Sequence, residues 1–144
     1  GDKVWATVVG AYGLILDSKN GWDALKGIAN ECKDLIDSGN NRVILAGDFN
    51  LQPSDVLPIV ENNMGLVDLM GRVDGLPELV GGVGGSRIWT HKNGNSPNAA
   101  RQELDFIFVS EELADEAVSV GGGIDDFPDA WDMSDHAPVV VEIS

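Results

Sequence analysis

The spacing of hydrophobic and polar positions changes along the chain, and each change marks an element. Residues 4–12 are rich in Val, Thr and aromatic residues with imperfect alternation, which predicts a strand inside a covered sheet that ends at Gly13. Trp22, Leu25, Ile28, Ala29, Cys32, Leu35 and Ile36 recur at three- and four-residue spacing and predict a helix over 22–36. Asn20 or Gly21 stands at its start, and Ser38, Gly39 and Asn40 close it. Val43, Ile44, Leu45 and Ala46 then form a short apolar run of the length of a strand buried on both faces. Strand, helix and buried strand in succession describe a βαβ-like crossover and a mixed α/β sheet.

The second half alternates shorter elements. Pro53 and Ser54 open a helix reaching about Asn62, interrupted or kinked at Pro58. Residues 71–85 read as a glycine-rich loop. Its run from Gly81 to Gly85 resembles a phosphate cradle only superficially, because no Gly-Lys-Ser/Thr follows and no clear buried strand precedes it. Ile88, Trp89 and Thr90 make a short strand candidate, and 91–100 a polar turn in which His91 reads as a surface histidine. In 103–110 Leu104, Phe106 and Phe108 take one face of a strand, while Asp105, Ile107 and Val109 take the other. A short helix over 111–116, an edge strand over 117–120, an acidic loop over 121–133 and a closing strand from Val139 to Ile143 complete the chain.

Two polar features disturb these apolar patterns. The buried run stops at Gly47, and Asp48 and Asn50 follow; positions two apart in extended backbone project together, while Phe49 turns into the core. Ordinary turn chemistry would use the same residues. Asp105 is a carboxylate on an otherwise apolar strand face. Burying it unpaired costs several kcal/mol, so it requires a dedicated partner.

Composition bounds the rest. The chain has 144 residues, 43% hydrophobic and 23% charged, which suits one soluble domain with a sizeable core. No run approaches ~18 apolar residues, and no signal-peptide pattern is visible, so the expected protein is soluble, without a membrane span and of open compartment. The single cysteine, Cys32, lies on the apolar stripe and reads as core; it leaves no disulfide partner and no cysteine-rich zinc site. Nine basic residues stand against 24 acidic ones, a formal charge of −15, and 103–144 holds 12 acidic residues without Lys or Arg. Such a surface reads first as a solvated face that aids solubility; it repels nucleic acid, so the ligand is small, or divalent cations bridge it, or basic residues outside this chain hold it. Asp125, Asp126, Asp129 and Asp132 read as a solvated loop face.

Three motifs, each at a strand end, stand in order. They are Gly47-Asp48-Phe49-Asn50, the strand from Leu104 to Ser110 carrying Asp105, and Ser134-Asp135-His136-Ala137-Pro138. Together they resemble the endonuclease/exonuclease/phosphatase superfamily, the deoxyribonuclease I-like group. Val8 to Tyr12 also looks like the family's central strand ending in tyrosine, with Gly13 where many members have proline. The resemblance implies an α/β fold, a partial four-layer sandwich of two mixed β-sheets flanked by helices. It implies that 1–144 form one such domain without its N-terminal part, since nothing before Tyr12 matches the family's upstream asparagine or metal-binding glutamate.

The same resemblance implies metal-assisted hydrolysis of a phosphate ester, which needs an activated water and a counter to charge on the phosphoryl oxygens. His136, partnered by Asp105, would contact phosphate or act as acid/base. Asp48 would orient or activate the water, Asn50 would donate to a phosphate oxygen, and Tyr12 would contact phosphate. Asp135, with Asp48, would hold Mg²⁺ or Mn²⁺. The implied function is a divalent-metal-dependent phosphodiester hydrolase of endonuclease or exonuclease type, with a phosphate ester, nucleic acid included, as partner. A phosphomonoesterase or inositol/lipid-headgroup phosphatase is the alternative, and a non-catalytic binding remnant a third reading.

Overall fold

The computed structural model describes residues 5–13, 18–72 and 86–144. Its centre is a four-stranded mixed sheet in the order β1, β2, β6, β3. Strand β1 (Thr7–Tyr12) runs parallel to β2 (Val43–Asp48), which is antiparallel to β6 (Asp105–Val109); β3 (Val67–Asp68) pairs antiparallel with the far side of β6. The crossover between β1 and β2 is α1 (Ser18–Asp37), which starts four residues before the apolar stripe does. Leu25, Ala29 and Cys32 on α1 are buried as their spacing predicts. Gly39, at φ +93°, closes the helix, with its N–H on Ile36 O (2.9 Å) and the N–H of Asn40 on Leu35 O (3.1 Å).

Helix α2 (Pro53–Ile59) carries Pro58 inside it and widens into a π-turn over Val60–Met64, so the element runs two residues beyond the expected Asn62 before Gly65 ends it in the left-handed region. A proline interior to a helix removes one backbone donor, and here the helix changes pitch after it instead of stopping.

Each face of the central sheet buries a different set. One face packs Val43, Leu45, Phe106 and Phe108 with Val9 against Leu25, Ala29 and Cys32 of α1 and Val56 and Leu57 of α2. Phe49, buried as expected, meets Phe106 and Phe108 edge-on at 5.5 and 5.7 Å between centroids. The other face packs Ile44, Ile107 and Val109 against α3 (Glu111–Asp115) and an antiparallel pair, β7 (Ala117–Gly122) with β8 (Val139–Ile143), through Leu113, Val120, Val141 and Ile143. Helices, mixed sheet and second sheet thus make the α/β layers that the resemblance implied. Strand β1 lies at the end of the order, and its Val8 and Tyr12 are 67% and 70% exposed on the second face.

Two expected elements differ. Residues 88–90 are not a strand; the ladder begins one step later, where β4 (His91–Lys92) pairs with β5 (Arg101–Gln102) and turns the expected polar turn into a hairpin. Ile88 and Thr90 are buried, but their backbone neighbours are scattered: Trp89 O accepts from Ile124 N (2.9 Å) and Thr90 O from Ala137 N (2.7 Å). The acidic segment begins as the end of β7 and continues as α4 (Gly123–Asp126) and a 3₁₀ turn over Ala130–Asp132, with Asp125, Asp126, Asp129 and Asp132 exposed. The glycine-rich stretch lies outside the described residues except Gly71 and Arg72, which end a 3₁₀ turn over Leu69–Arg72.

Candidate active site

The pairing register puts two carboxylates side by side. Asp48, last in β2, stands opposite Asp105, first in β6, on the face that looks toward β7 and β8. The imidazole of His136, three residues before β8, lies between them: Nδ1 is 2.8 Å from Asp105 Oδ2, and Nε2 is 3.8 Å from Asp48 Oδ2. Asp105 therefore has the partner its apolar surroundings require. Burial alone would lower the pKa of His136, but the bond to Asp105 and the charges of Asp105, Asp48 and Asp135 raise it above the ordinary histidine value. Burial raises Asp105, against the bond and charge of His136 and a hydrogen bond from Thr90, with a further push from Asp48. Asp105 and His136 are thus coupled through their 2.8 Å contact.

Asn50 joins Asp48 by a route other than strand alternation. Its backbone is left-handed, at φ +49°, and its N–H donates to Asp48 Oδ1 (2.9 Å), so an Asx turn brings the two side chains together. The Asn50 amide donates to Asp48 Oδ2 (3.1 Å) and to Gly13 O (2.7 Å), so both of its protons are engaged. Gly13 suits this close contact. Its N–H donates to Asp48 O (2.7 Å), a bond proline cannot make, and a Cβ there would fall 1.9 Å from Phe49 O. Tyr12 pairs in register with Asp48 and projects an exposed side chain beside it.

Asp135 sits on the other side of His136, with a side chain 69% exposed, and the residues beside it enclose a cleft of about 430 Å³ lined by Lys92, Asn95, Trp131 and Met133. His91, read from sequence as a surface residue, is not one: its side chain is 16% exposed and its ring lies 4.8 Å from that of His136. Backbone pairing explains the burial, because His91 and His136 form a β-bridge. Among the described residues two groups could hold a divalent cation, Asp48 with Asp105 and His136, and His91 with Asp135 and His136.

Thr90 is a second residue that sequence reasoning missed. It is fully buried, and its Oγ1 accepts from the N–H of Leu104 (3.0 Å) and of Asp105 (3.2 Å). Its carbonyl also takes the N–H of Ala137, next to His136. One side chain and its backbone thus fix both members of the dyad. A β-branched residue in an apolar triplet carries no sign of this in sequence; the signal is the hydroxyl at full burial.

Comparison with known proteins identifies the fold and the family. Among curated proteins no sequence matches the chain with significance. Among solved structures it resembles an AP endonuclease from Archaeoglobus fulgidus (19% identity, TM-score 0.66, 95% of this chain and 61% of that one). It also resembles a 3′ phosphatase from Neisseria bound to product DNA hairpin (19%, TM-score 0.68, 98% and 62%) and a mannosyl-6-phosphatase from Bacteroides thetaiotaomicron (20%, TM-score 0.57, 95% and 50%). These likenesses establish the shared fold, and the chain spans about three-fifths of the first two structures. The family model matches residues 33–136, most of the chain, with the first two strand-end motifs and the third as far as His136, so the protein belongs to the Endonuclease/Exonuclease/phosphatase family.

Proposed function

We propose that the chain carries the acid–base half of a divalent-metal-dependent phosphodiester hydrolase of endonuclease or exonuclease type. The observation that carries this is the bracketed imidazole, His136 between Asp105 and Asp48. Asp105 fixes the tautomer and supports the charged form of His136, whose Nε2 is then free to face a phosphoryl oxygen or pass a proton to a leaving alkoxide. Asp48 would orient and deprotonate the attacking water, and Asn50 holds Asp48 in place; to bond phosphate as well, Asn50 must give up one present partner. Tyr12, exposed beside Asp48, would contact the phosphate.

Mg²⁺ or Mn²⁺ takes one or two carboxylate oxygens from a protein and keeps waters and substrate phosphate for the rest. Exposed Asp135 suits that as an anchor, with Asp48 as a second oxygen, although no candidate cluster among the described residues contains both. Bound there, the ion would neutralise charge on the phosphoryl oxygens.

The acidic surface favours the second reading, a phosphomonoesterase acting on a small ester. A direct assay separates the two. The purified chain is given a generic phosphodiester, a single-stranded oligonucleotide and a monoester, with Mg²⁺ or Mn²⁺, beside its His136→Ala variant. Metal-dependent, His136-dependent cleavage of the diesters is the expected result, slow because the chain carries only the acid–base half of the site. Cleavage of the monoester alone transfers the assignment to the second reading, and phosphate binding without turnover to a binding protein.

A further inference from the structure

The β-bridge to His136 accounts for the burial of His91 but leaves the hydrogen bonding of its ring unmet. Its Nδ1 is buried without a hydrogen-bond partner, and its Nε2 approaches Asp135 Oδ2 only to 3.9 Å, beyond hydrogen-bond range. A buried imidazole nitrogen without a partner costs about 1–3 kcal/mol, and native structures rarely retain such groups without a reason. On its other side lies His136, whose Nδ1 is committed to Asp105 at 2.8 Å. A carboxylate on one ring nitrogen places the proton there and leaves a lone pair on the other, which is the usual support for a metal-ligating histidine.

We propose that His91, Asp135 and His136 form a binding site for a borderline transition-metal cation of the Zn²⁺ or Co²⁺ type, whose occupancy competes with the proton-carrying role of His136. The donor atoms of the three residues lie within 4.8 Å of one another. Ligands at Zn–N and Zn–O distances near 2.0–2.2 Å stand about 3.3 Å apart in a tetrahedral site, so modest side-chain rotation closes the set. Two imidazoles and one carboxylate suit Zn²⁺ and its neighbours, whereas Mg²⁺ prefers oxygen throughout. Three protein ligands leave a fourth position open to water. Asp135 is exposed and gives the ion a route in, and the chain's −15 charge concentrates cations near its surface. Ligation through His136 Nε2 would remove the nitrogen that faces Asp48. The proposal rests on these three side chains and holds whether or not the chain is a hydrolase.

The test is binding to the full chain after treatment with EDTA and dialysis. Co²⁺ is followed by its visible absorption, and Zn²⁺ by displacement of Co²⁺. The expected result is one Co²⁺ per chain with the intense bands of a low-coordinate site, displaced by Zn²⁺ and not by a large excess of Mg²⁺. His91→Ala and Asp135→Asn should each weaken binding at least tenfold. Asp105→Asn should weaken it by about 10–100-fold through loss of support to His136, and Asp48→Asn should leave it unchanged. Circular dichroism of each variant checks folding, and His91→Gln serves where His91→Ala does not fold. Affinity unchanged in a folded His91 variant, loss of binding with Asp48→Asn, or only weak multiple binding by surface carboxylates would each overturn the site.

Discussion

Glu103 and Asp105 are two residues apart, and both carboxylates are withdrawn from water, yet they end in opposite conditions. Glu103 is fully buried, and Arg87 saturates it: the guanidinium reaches Oε1 at 2.7 Å, the Arg87 N–H donates to Oε2 at 2.8 Å, and the same guanidinium bonds Asp68. Ser86 Oγ accepts the N–H of Glu103 (3.1 Å). Asp105 is partnered instead by a titratable ring that is 30% exposed and faces a second carboxylate. A permanent cation with several bonds ties β3, the segment before β4 and the approach to β6 together. A histidine partner leaves the proton free to move. The difference is between a charge cluster that holds the fold and one that can do chemistry.

The largest effect that separates them should be Arg87→Met. It leaves Asp68 and Glu103 buried with no cation, and breaking such a cluster costs about 3–5 kcal/mol. Against a typical total of about 5–15 kcal/mol, that shifts the denaturant midpoint visibly or unfolds the chain. Adding Asp68→Asn and Glu103→Gln should recover much of the loss. A cost below about 1 kcal/mol for Arg87→Met alone would mean that the triad is not holding the fold.

His136→Ala should reverse the pattern. In an active form of the domain it lowers turnover by at least ~10²-fold, the low end for acid–base and charge-stabilising groups, with little change in the denaturant midpoint. Equal damage to stability and turnover would place the dyad in the same class as the triad.

Much of this contrast was legible beforehand on one side only. The apolar periods located α1, β2, β6 and β8, and a carboxylate on an apolar strand face pointed to a partner for Asp105. His136 could be paired with it because it stands in a motif. Arg87 could not, since it follows a glycine-rich stretch, and only the tertiary fold brings it to Asp68 and Glu103. His91 and Thr90 were hidden for a similar reason. Their importance comes from long-range backbone pairing with residues 136 and 137, which no local pattern records. Asn50 was placed beside Asp48 by strand alternation, whereas the turn chemistry set aside as the alternative is what joins them.

Thr90→Val sharpens the comparison further. The substitution keeps shape and removes the acceptor for two backbone N–H groups, one of them that of Asp105 itself. An orphaned buried donor costs about 1–3 kcal/mol, and a misoriented dyad of similar energy about tenfold in turnover. Thr90→Ser should restore both stability and turnover, because the hydroxyl and not the methyl does the positioning. Equal behaviour of Val and Ser would reduce Thr90 to packing.

The smallest effect is the most diagnostic of a movable proton. In metal-free protein, NMR of the imidazole should show His136 titrating above the ordinary histidine value of about 6.5, because Asp105, Asp48 and Asp135 outweigh its burial. A raised folded value means that the native state binds the proton more tightly than the unfolded chain does. Stability from this group is then fully present below about pH 6.5 and is lost as pH rises through the folded value. Asp105 is also raised, so from about pH 3.9 upward it too favours the unfolded state with rising pH, and the two slopes have the same sign. Asp105→Asn removes the strongest support of the imidazolium while burial still opposes it, so the midpoint should move down and the slope of stability between pH 6 and 8 should flatten. A His136 midpoint that does not respond to Asp105→Asn would show that the 2.8 Å contact does not control the proton, and Asp105 would then belong with Glu103 as a structural charge.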